Sequence, residues 1–339
     1  MRTLPKSEAA AAAREVIESL QERLQAALER VSGETFTTVR WLRDEGRHGG
    51  GNRRVAPQGG TFNRASVNMS VVHYDDDPSK RLGSATALSS IVHPDNPAAP
   101  SMHTHVSWTE MKDGTGYWRI MGDLNPSIPV DADRDDFAAA MKAAAPDVYA
   151  YAAEQGDRYF AIPALGRHRG VTHFYVEGYA TDDPAADLAL ARRTGEAIID
   201  AYAAILERRL AEAGEPSEAD RAEQLAYHTL YLFQVLTLDR GTTSGLLVHS
   251  QNDVGILGSL PSHCDRELLA SWADAVPELQ RPLVVALAEA LGGTGAVLVD
   301  EAAKKRLASA VRSFYQANPS ALELQARGDV LPPTVANHR

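Results

Sequence analysis

The stretch from Ser89 to Trp108, SSIVHPDNPAAPSMHTHVSW, constrains the fold more than any other in the chain. Ser90, Ile91 and Val92 read as the end of a strand that delivers His93. Pro94, Asn96, Pro97 and Pro100 then enforce a turn-rich excursion. The chain returns as a second strand whose period of two puts His103, His105, Ser107 and Thr109 on one face, with Thr104, Val106, Trp108 and Glu110 on the other. One histidine on a strand is ordinarily a surface or satisfied core residue. Three converging on one pleat indicate a polar pocket, as a metal site or an acid/base site.

The rest of the chain is the scaffold for that pocket. Its 339 residues allow one large or two ordinary domains and a sizeable core. A hydrophobic share of 44% with 23% charged residues is that of a soluble globular protein. The net charge of −11 argues against a general nucleic-acid or anionic-membrane binder, because neutralising phosphates needs surplus Lys and Arg. The single cysteine, Cys264, leaves no intramolecular disulfide and suits a small buried hydrophobe. The N-terminal stretch has no signal-peptide core, and nowhere do eighteen apolar residues run together. We read a cytoplasmic protein without a transmembrane segment.

Taken in order, Ser7 to Ser32 is an amphipathic helix, with Ser7 as N-cap, Gly33 just past its end, and Val16, Ile17, Leu20, Leu24 and Leu28 on its apolar face. Strand character follows from Thr35 to Leu42 and from Ser66 to His73. Between them Gly49, Gly50 and Gly51 precede Arg53 and Arg54. This run lacks the Lys-Ser/Thr ending of a phosphate loop. It reads either as a floppy surface loop or as flexible backbone beside an Arg53 that grips a carboxylate. Tyr117 to Leu124 is a further strand. Asp133 is placed as the cap of an alanine-rich helix from Asp135 to Ala145, broken by Pro146 and resumed from Asp147 to Gln155.

Val171 to Tyr179 returns to strand, preceded by Arg167, His168 and Arg169 between Gly166 and Gly170, glycines that suggest a close backbone approach. Asp183-Pro184 starts the longest helix, running to about Ala213. Ser217 with Asp220 begins a short one. TLYLFQVLTLDRGTTSGLLV then reads as strand, turn, strand, with Asp239 and Arg240 where the first strand ends, a place where a sheet presents side chains to a ligand. From Pro277 the character is helical, over Leu279 to Leu291 and Asp300 to Asn318, and residues after Pro319 look loosely ordered.

Several islands stand in a fixed order: GGGNRRV, SVNMSVV, IVHPDNPAAPSMH, GDLNP, RYFAIP, the Arg169-Gly170 pair, DRGTTSGL and SLP. Together they resemble the oxygen-dependent coproporphyrinogen III oxidase family over residues 35–275, leaving a C-terminal helical extension, 277–318, outside it. The resemblance implies an α+β fold, a large flat antiparallel sheet flanked by layers of helices, in a single domain covering 1–339 and usually a homodimer. It implies oxidative decarboxylation of two propionates of a porphyrinogen to vinyl groups in porphyrin and heme biosynthesis, with molecular oxygen as co-substrate and no organic cofactor. Carried over by position, His103 matches the proton donor, Ser89 a substrate-contacting serine, and Arg169, Arg240 and Asp239 members of the family pattern. His93 matches a histidine sometimes given as a metal ligand.

The chain also departs from the pattern. His105 and Ser107 stand where the family has Asn-x-Arg, and Ser250, Gln251 and Asn252 where it has Gly-Gly-Arg. Paired aspartates become Glu177 and Gly178, and two histidines become alanines near Ala139 and at Ala164. Removing an arginine from a buried carboxylate costs about 3–5 kcal/mol, so the departures put the substrate in question more than the fold. The catalytic set expected is His103 as proton donor with Asp239 or Glu177 as base. Ser89, Arg53, His105, Arg169, Arg240 and Asn252 are expected at the substrate, and a metal, if one is held, at His93 and His103. Two other readings stand beside this one. The same fold acts on a smaller carboxylate or electron-rich heterocycle, or the chain is a non-catalytic relative that binds a tetrapyrrole or a protein partner.

Overall fold

The structure is a computed structural model that describes residues 2–248 and 252–331. Its centre is a seven-stranded sheet, β1 (Thr37–Leu42), β2 (Gly49–Val55), β3 (Phe62–His73), β4 (Leu82–Pro94), β5 (Ser101–Met111), β6 (Gly116–Asn125) and β7 (Thr172–Tyr179). The strands lie in that spatial order, every neighbouring pair antiparallel. Sequence neighbours pair through short turns until β6. There α2 (Asp131–Ala144) and α3 (Tyr149–Phe160) intervene before β7 completes the edge.

The two faces of the sheet differ in chemistry. On one face Val67, Met69, Leu88, Val92, Val106 and Ile120 are fully buried. They pack with α1 (Glu8–Ser32), α2 and α4 (Pro184–Glu212) into the larger core. Ser7 caps α1 through Ala10 N, and Gly33 closes it in the left-handed region, as the sequence suggests. The opposite face carries Ser66, Asn68, Ser70, Ala87, Ser89, His105 and Ser107, residues too small or too polar to seal against a helix. Above that face lie α3, α5 (Glu218–Thr237), α6 (Arg240–Val248) and a helical layer with its own core. This layer includes α7 (Asp253–Ile256), α8 (Arg266–Ser271), α9 (Arg281–Leu291) and α10 (Glu301–Ala317). The fold is therefore α+β, a sheet between two layers of helices. Among the described residues no helix is long and apolar enough to cross a membrane.

Five local expectations change. TLYLFQVLTLDRGTTSGLLV is not a strand pair: it belongs to α5 and α6. Residues 227–237 are buried all round, so no helical stripe marks them, and a buried helix segment and a buried strand read alike. The capping box of Ser217 and Asp220 starts this long helix, not a short one. The glycine run is neither a floppy loop nor flexible backbone but part of strand β2. A Cβ on Gly49 would lie 2.1 Å from Val71 O, and one on Gly50 2.4 Å from Trp41 O, so only glycine lets β2 pass between β1 and β3. Asp133 does not cap α2, which begins at Asp131. It is buried and accepts from Arg208 and Arg209 of α4 at 2.8 and 2.7 Å.

The segment after Pro319 is docked as far as it is described. Gln325 donates to Thr243 Oγ1 at 2.6 Å and to the Tyr315 hydroxyl at 3.0 Å, and Asp329 N donates to Gln155 Oε1 at 2.6 Å.

Candidate active site

The polar sheet face and the helices above it enclose a cavity of about 330 Å³, large enough for a ligand site. Register decides what faces it. His103 lies directly opposite Asp123 on β6, His105 opposite Ser89 on β4, and Ser107 opposite Arg119 on β6. Since cross-strand partners share a face, these side chains project to one side. Ser89, His103, His105, Arg169, Glu177 and Asp239 all line the cavity, although they come from distant parts of the chain.

At the inner end of the cavity is a buried ionic chain. His103 Nδ1 meets Asp123 Oδ1 at 2.7 Å, and Asp123 Oδ2 accepts from Arg169 Nη2 at 2.8 Å and from Asn125 Nδ2 at 2.7 Å. Burial by itself would push the Asp123 carboxyl up. Arg169, then His103, outweigh it and hold the group well below the usual carboxylate range. Arg169, only 2% exposed, also donates to Gln234 Oε1 at 2.7 Å and lies over the Phe160 ring at 4.4 Å. Gly170 makes the approach possible. Its φ is +82°, and a Cβ there would sit 2.7 Å from Asn125 Oδ1 and 2.8 Å from Leu124 O. Gly166, also in the left-handed region, has open space around it.

A second network covers the β7 side. Arg119 Nε donates to Glu177 Oε2, which also accepts from the Tyr175 hydroxyl at 2.8 Å. Glu177 is thus buried and paired, not solvated at a strand end. Against the cost of burial, Glu177 keeps the Arg119 guanidinium firmly charged. Asp239 accepts from the Tyr159 hydroxyl at 2.8 Å and from Thr242 N at 2.7 Å, at the start of α6. His105 bonds Ser107 Oγ at 3.0 Å, and burial, then Arg119 and His103, keep its ring neutral by lowering its pKa well below the usual value.

Four expected residues are absent from the cavity lining. Arg240 does not face the cavity, because its guanidinium is spent on Leu322 O and Ala326 O of the C-terminal segment, at 2.8 and 3.2 Å. Asn252 precedes α7 as its N-cap residue, and its neighbours Ser250 and Gln251 lie outside the described residues. Arg53 stands one strand beyond Asn68, at the rim. His93 is fully buried, its Nδ1 on Ser101 Oγ at 2.8 Å and its Nε2 on Ser259 O at 3.2 Å. With His93 engaged on both nitrogens and His103 turned to Asp123, the two do not make a ligand pair. No three His, Cys, Asp or Glu side chains gather as a metal site among the described residues.

Sequence reasoning missed Asp123, Arg119 and Tyr159. Asp113-Gly114 is a hairpin-turn signal, and residues equidistant from Asp113 pair, which brings Asp123 to His103 and leaves Arg119 facing Ser107. Tyr159 carries no such signal, being joined to Asp239 only by tertiary packing.

A sheet with one polar, small-residue face roofed by helices, holding a buried His-Asp-Arg chain beside two further acids, defines an α+β protein built around an internal ligand site. Comparison with known proteins makes the class specific. The family model described as coproporphyrinogen III oxidase matches residues 12–280. Oxygen-dependent coproporphyrinogen-III oxidase of Prochlorococcus marinus (strain MIT 9313) is 30% identical over 301 residues, 77% of this chain and 82% of that protein. The protein of that name from Synechococcus sp. (strain CC9605) is 30% identical over 299 residues, 76% of this chain and 81% of its own length. The mitochondrial protein of that name from Rattus norvegicus is 29% identical over 283 residues, 76% of this chain but 62% of its own length. The chain belongs to the coproporphyrinogen III oxidase family.

Proposed function

We propose that the chain is an oxygen-dependent oxidative decarboxylase of the coproporphyrinogen oxidase type, with the cavity as its reaction site. The observation that carries the reading is the buried His103-Asp123-Arg169 chain at the cavity wall. Asp123 occupies Nδ1 of His103, which orients the ring and leaves Nε2 for the ligand. Small side chains on β3 and β4 leave room over the sheet for a broad ring system.

The reaction converts a propionate side chain to a vinyl group. One C–C bond breaks to release carbon dioxide, a hydrogen leaves the neighbouring carbon with two electrons, and oxygen accepts two electrons and two protons to become hydrogen peroxide. In our assignment Asp239 takes a pyrrole N–H proton, making the ring electron-rich, and returns it to the nitrogen once the vinyl group has formed, with Glu177 as the alternative base. His103 supplies the second proton that peroxide needs. Oxygen is the electron acceptor, so the balance calls for no organic cofactor. The homodimer that the family resemblance implies remains part of the proposal. It is supported by the free edge of β1, where Val39 and Leu42 are exposed.

The test is anaerobic mixing of the protein with coproporphyrinogen III, followed by oxygen. Vinyl product, carbon dioxide and peroxide formed in equal amounts support the reading, and bound but unaltered substrate after oxygen addition overturns it.

A further inference from the structure

At the β2–β3 end of the cavity three cations gather with little to answer them. Arg53 faces Asn68 across the ladder, and Arg64 stands two residues before Ser66 on the same side of β3. Asn68 and Ser66 both line the cavity. The Arg53 guanidinium lies against Gly258, where an added Cβ would be 3.2 Å from Nη1, next to the cavity residue Ser259. Lys304 enters from the first turns of α10 in the layer above, only 5% exposed.

Their bonding is sparse. Arg64 makes one hydrogen bond, Nε to Leu260 O at 3.3 Å. The side chains of Arg53 and Lys304 have no hydrogen bond or ion pair among the described residues. The carboxylate that acts on Arg53 and Lys304 is the exposed Glu301. Burial, then the charges of Arg64 and Arg53, push Lys304 down to about 7, and burial also lowers both arginines. Lys304 is buried, and Arg53 and Arg64 are half-buried beside it. A buried cation is ordinarily paired, so a cluster held this way is arranged for a partner from outside.

Position sets the reach of that partner. Arg53, Asn68, Ser89 and His105 are successive members of one rung across β2, β3, β4 and β5. Three strand spacings separate Arg53 from His105, about 14 Å. A molecule that touches both the acid/base centre and the cations must extend across that distance and end in a negative group.

We propose that Arg53, Arg64 and Lys304, from β2, β3 and α10, form an anion subsite that grips a carboxylate of the molecule lying in the cavity. That the carboxylate belongs to a reacting ligand rests on the decarboxylase reading, whereas the anion subsite stands on the cluster alone. The ligand class is an extended polycarboxylate, not a single-ring acid.

The experiment measures binding of coproporphyrin III, a stable tetracarboxylate, and of its neutral tetra-amide to the full chain by isothermal titration, in wild type, Arg53→Gln and Lys304→Met. The acid is expected to bind the wild type at least tenfold more tightly than the amide. Each variant loses tenfold or more for the acid and nothing for the amide. Removing a crowded cation should leave the unfolding temperature equal or higher, and if Lys304→Met does not fold, Arg53→Gln carries the test. Inorganic phosphate alone should raise the unfolding temperature of the wild type and not of the variants. Unchanged acid affinity in folded variants overturns the proposal, including where phosphate binds, since the cluster would then serve only a free anion. Turnover separates the two readings. Coproporphyrin III bound through the cluster, with no conversion of coproporphyrinogen III when oxygen is added, sinks the decarboxylase and leaves the subsite. Conversion with the same KM in wild type and variants sinks the subsite and leaves the decarboxylase.

Discussion

Asp123 is the carboxylate through which His103 and Arg169 are joined. It is wholly buried, yet stays ionised because Arg169, His103 and Asn125 take up its lone pairs. Asp123→Asn leaves Arg169 buried with a neutral neighbour, an arrangement that costs about 3–5 kcal/mol of folding stability. It also removes the acceptor that orients His103, so turnover should fall on the order of 100-fold or more. Urea unfolding and steady-state kcat check the two parts separately, and a variant as stable as wild type shows that the ion pair does not hold the site. His103→Ala should differ: Asp123 keeps its Arg169 partner, so activity drops by a comparable factor while stability falls less, by about 1–3 kcal/mol for the buried oxygen left unpaired. Asp239→Ala beside it tests the base, and a pair of variants with undiminished activity removes both assignments. His103, Arg169 and Asp239 are legible in the sequence through the family resemblance, which carries them over by position, and the structure brings all three to one cavity. Arg240 was not placed correctly, since its carbonyl partners at Leu322 and Ala326 lie far along the chain and backbone acceptors leave no trace in sequence.

At the scale of elements, the sheet was easier to read than the layer above it. Strands β3 to β6 alternate between a polar and an apolar face, and α1 and α4 show caps and a helical stripe, so pattern and structure agree. In α5 they part, because a helix enclosed on all sides keeps no polar face to reveal its period. What marks α5 is its start: Ser217 and Asp220 exchange bonds across the first turn, Asp220 N to Ser217 Oγ at 3.2 Å and Ser217 N to Asp220 Oδ2 at 2.9 Å. Ser217→Ala should cost about 1 kcal/mol, visible as a lower urea midpoint at unchanged slope, and no change would show that tertiary packing alone holds the helix. The C-terminal segment is the complementary case. Its composition looks like a tail, but Gln325 is 4% exposed and bonded to both α6 and α10. Ending the chain after Asn318 strips Arg240 of its two acceptors and Thr243 of its donor. The shortened protein should melt several degrees lower, and an unaltered melting temperature would make the docking energetically idle.

Part of the molecule's response to pH comes from groups the site does not use, beside the buried His105 that it does. His93 is fully buried between β4 and the helical layer, bonded to Ser101 and Ser259, with the rings of Tyr227, His228 and Tyr231 around it. Burial, then His228, holds His93 well below its ordinary value. Burial, then His263, lowers His228 to about 3. Both rings are therefore neutral in the native state, while the unfolded chain takes up a proton at each below about pH 6.5. In that range the unfolded state binds more protons, so stability is intact above about 6.5. It declines as pH falls, by about 1.4 kcal/mol per unit for each such histidine until the folded value is reached. Between pH 6.5 and 4.5 most carboxylates remain ionised, which isolates this slope from the loss of the Asp123 pair at lower pH. His228 Nε2 has no hydrogen-bond partner among the described residues, so His228→Leu removes one titration without breaking a bond at that atom. Unfolding free energies at pH 4.5, 5.5 and 6.5 should give the variant a distinctly shallower slope than the wild type, with the two curves closest at pH 6.5. Parallel curves would place the acid sensitivity elsewhere and leave the contact between the sheet and the helical layer indifferent to protons.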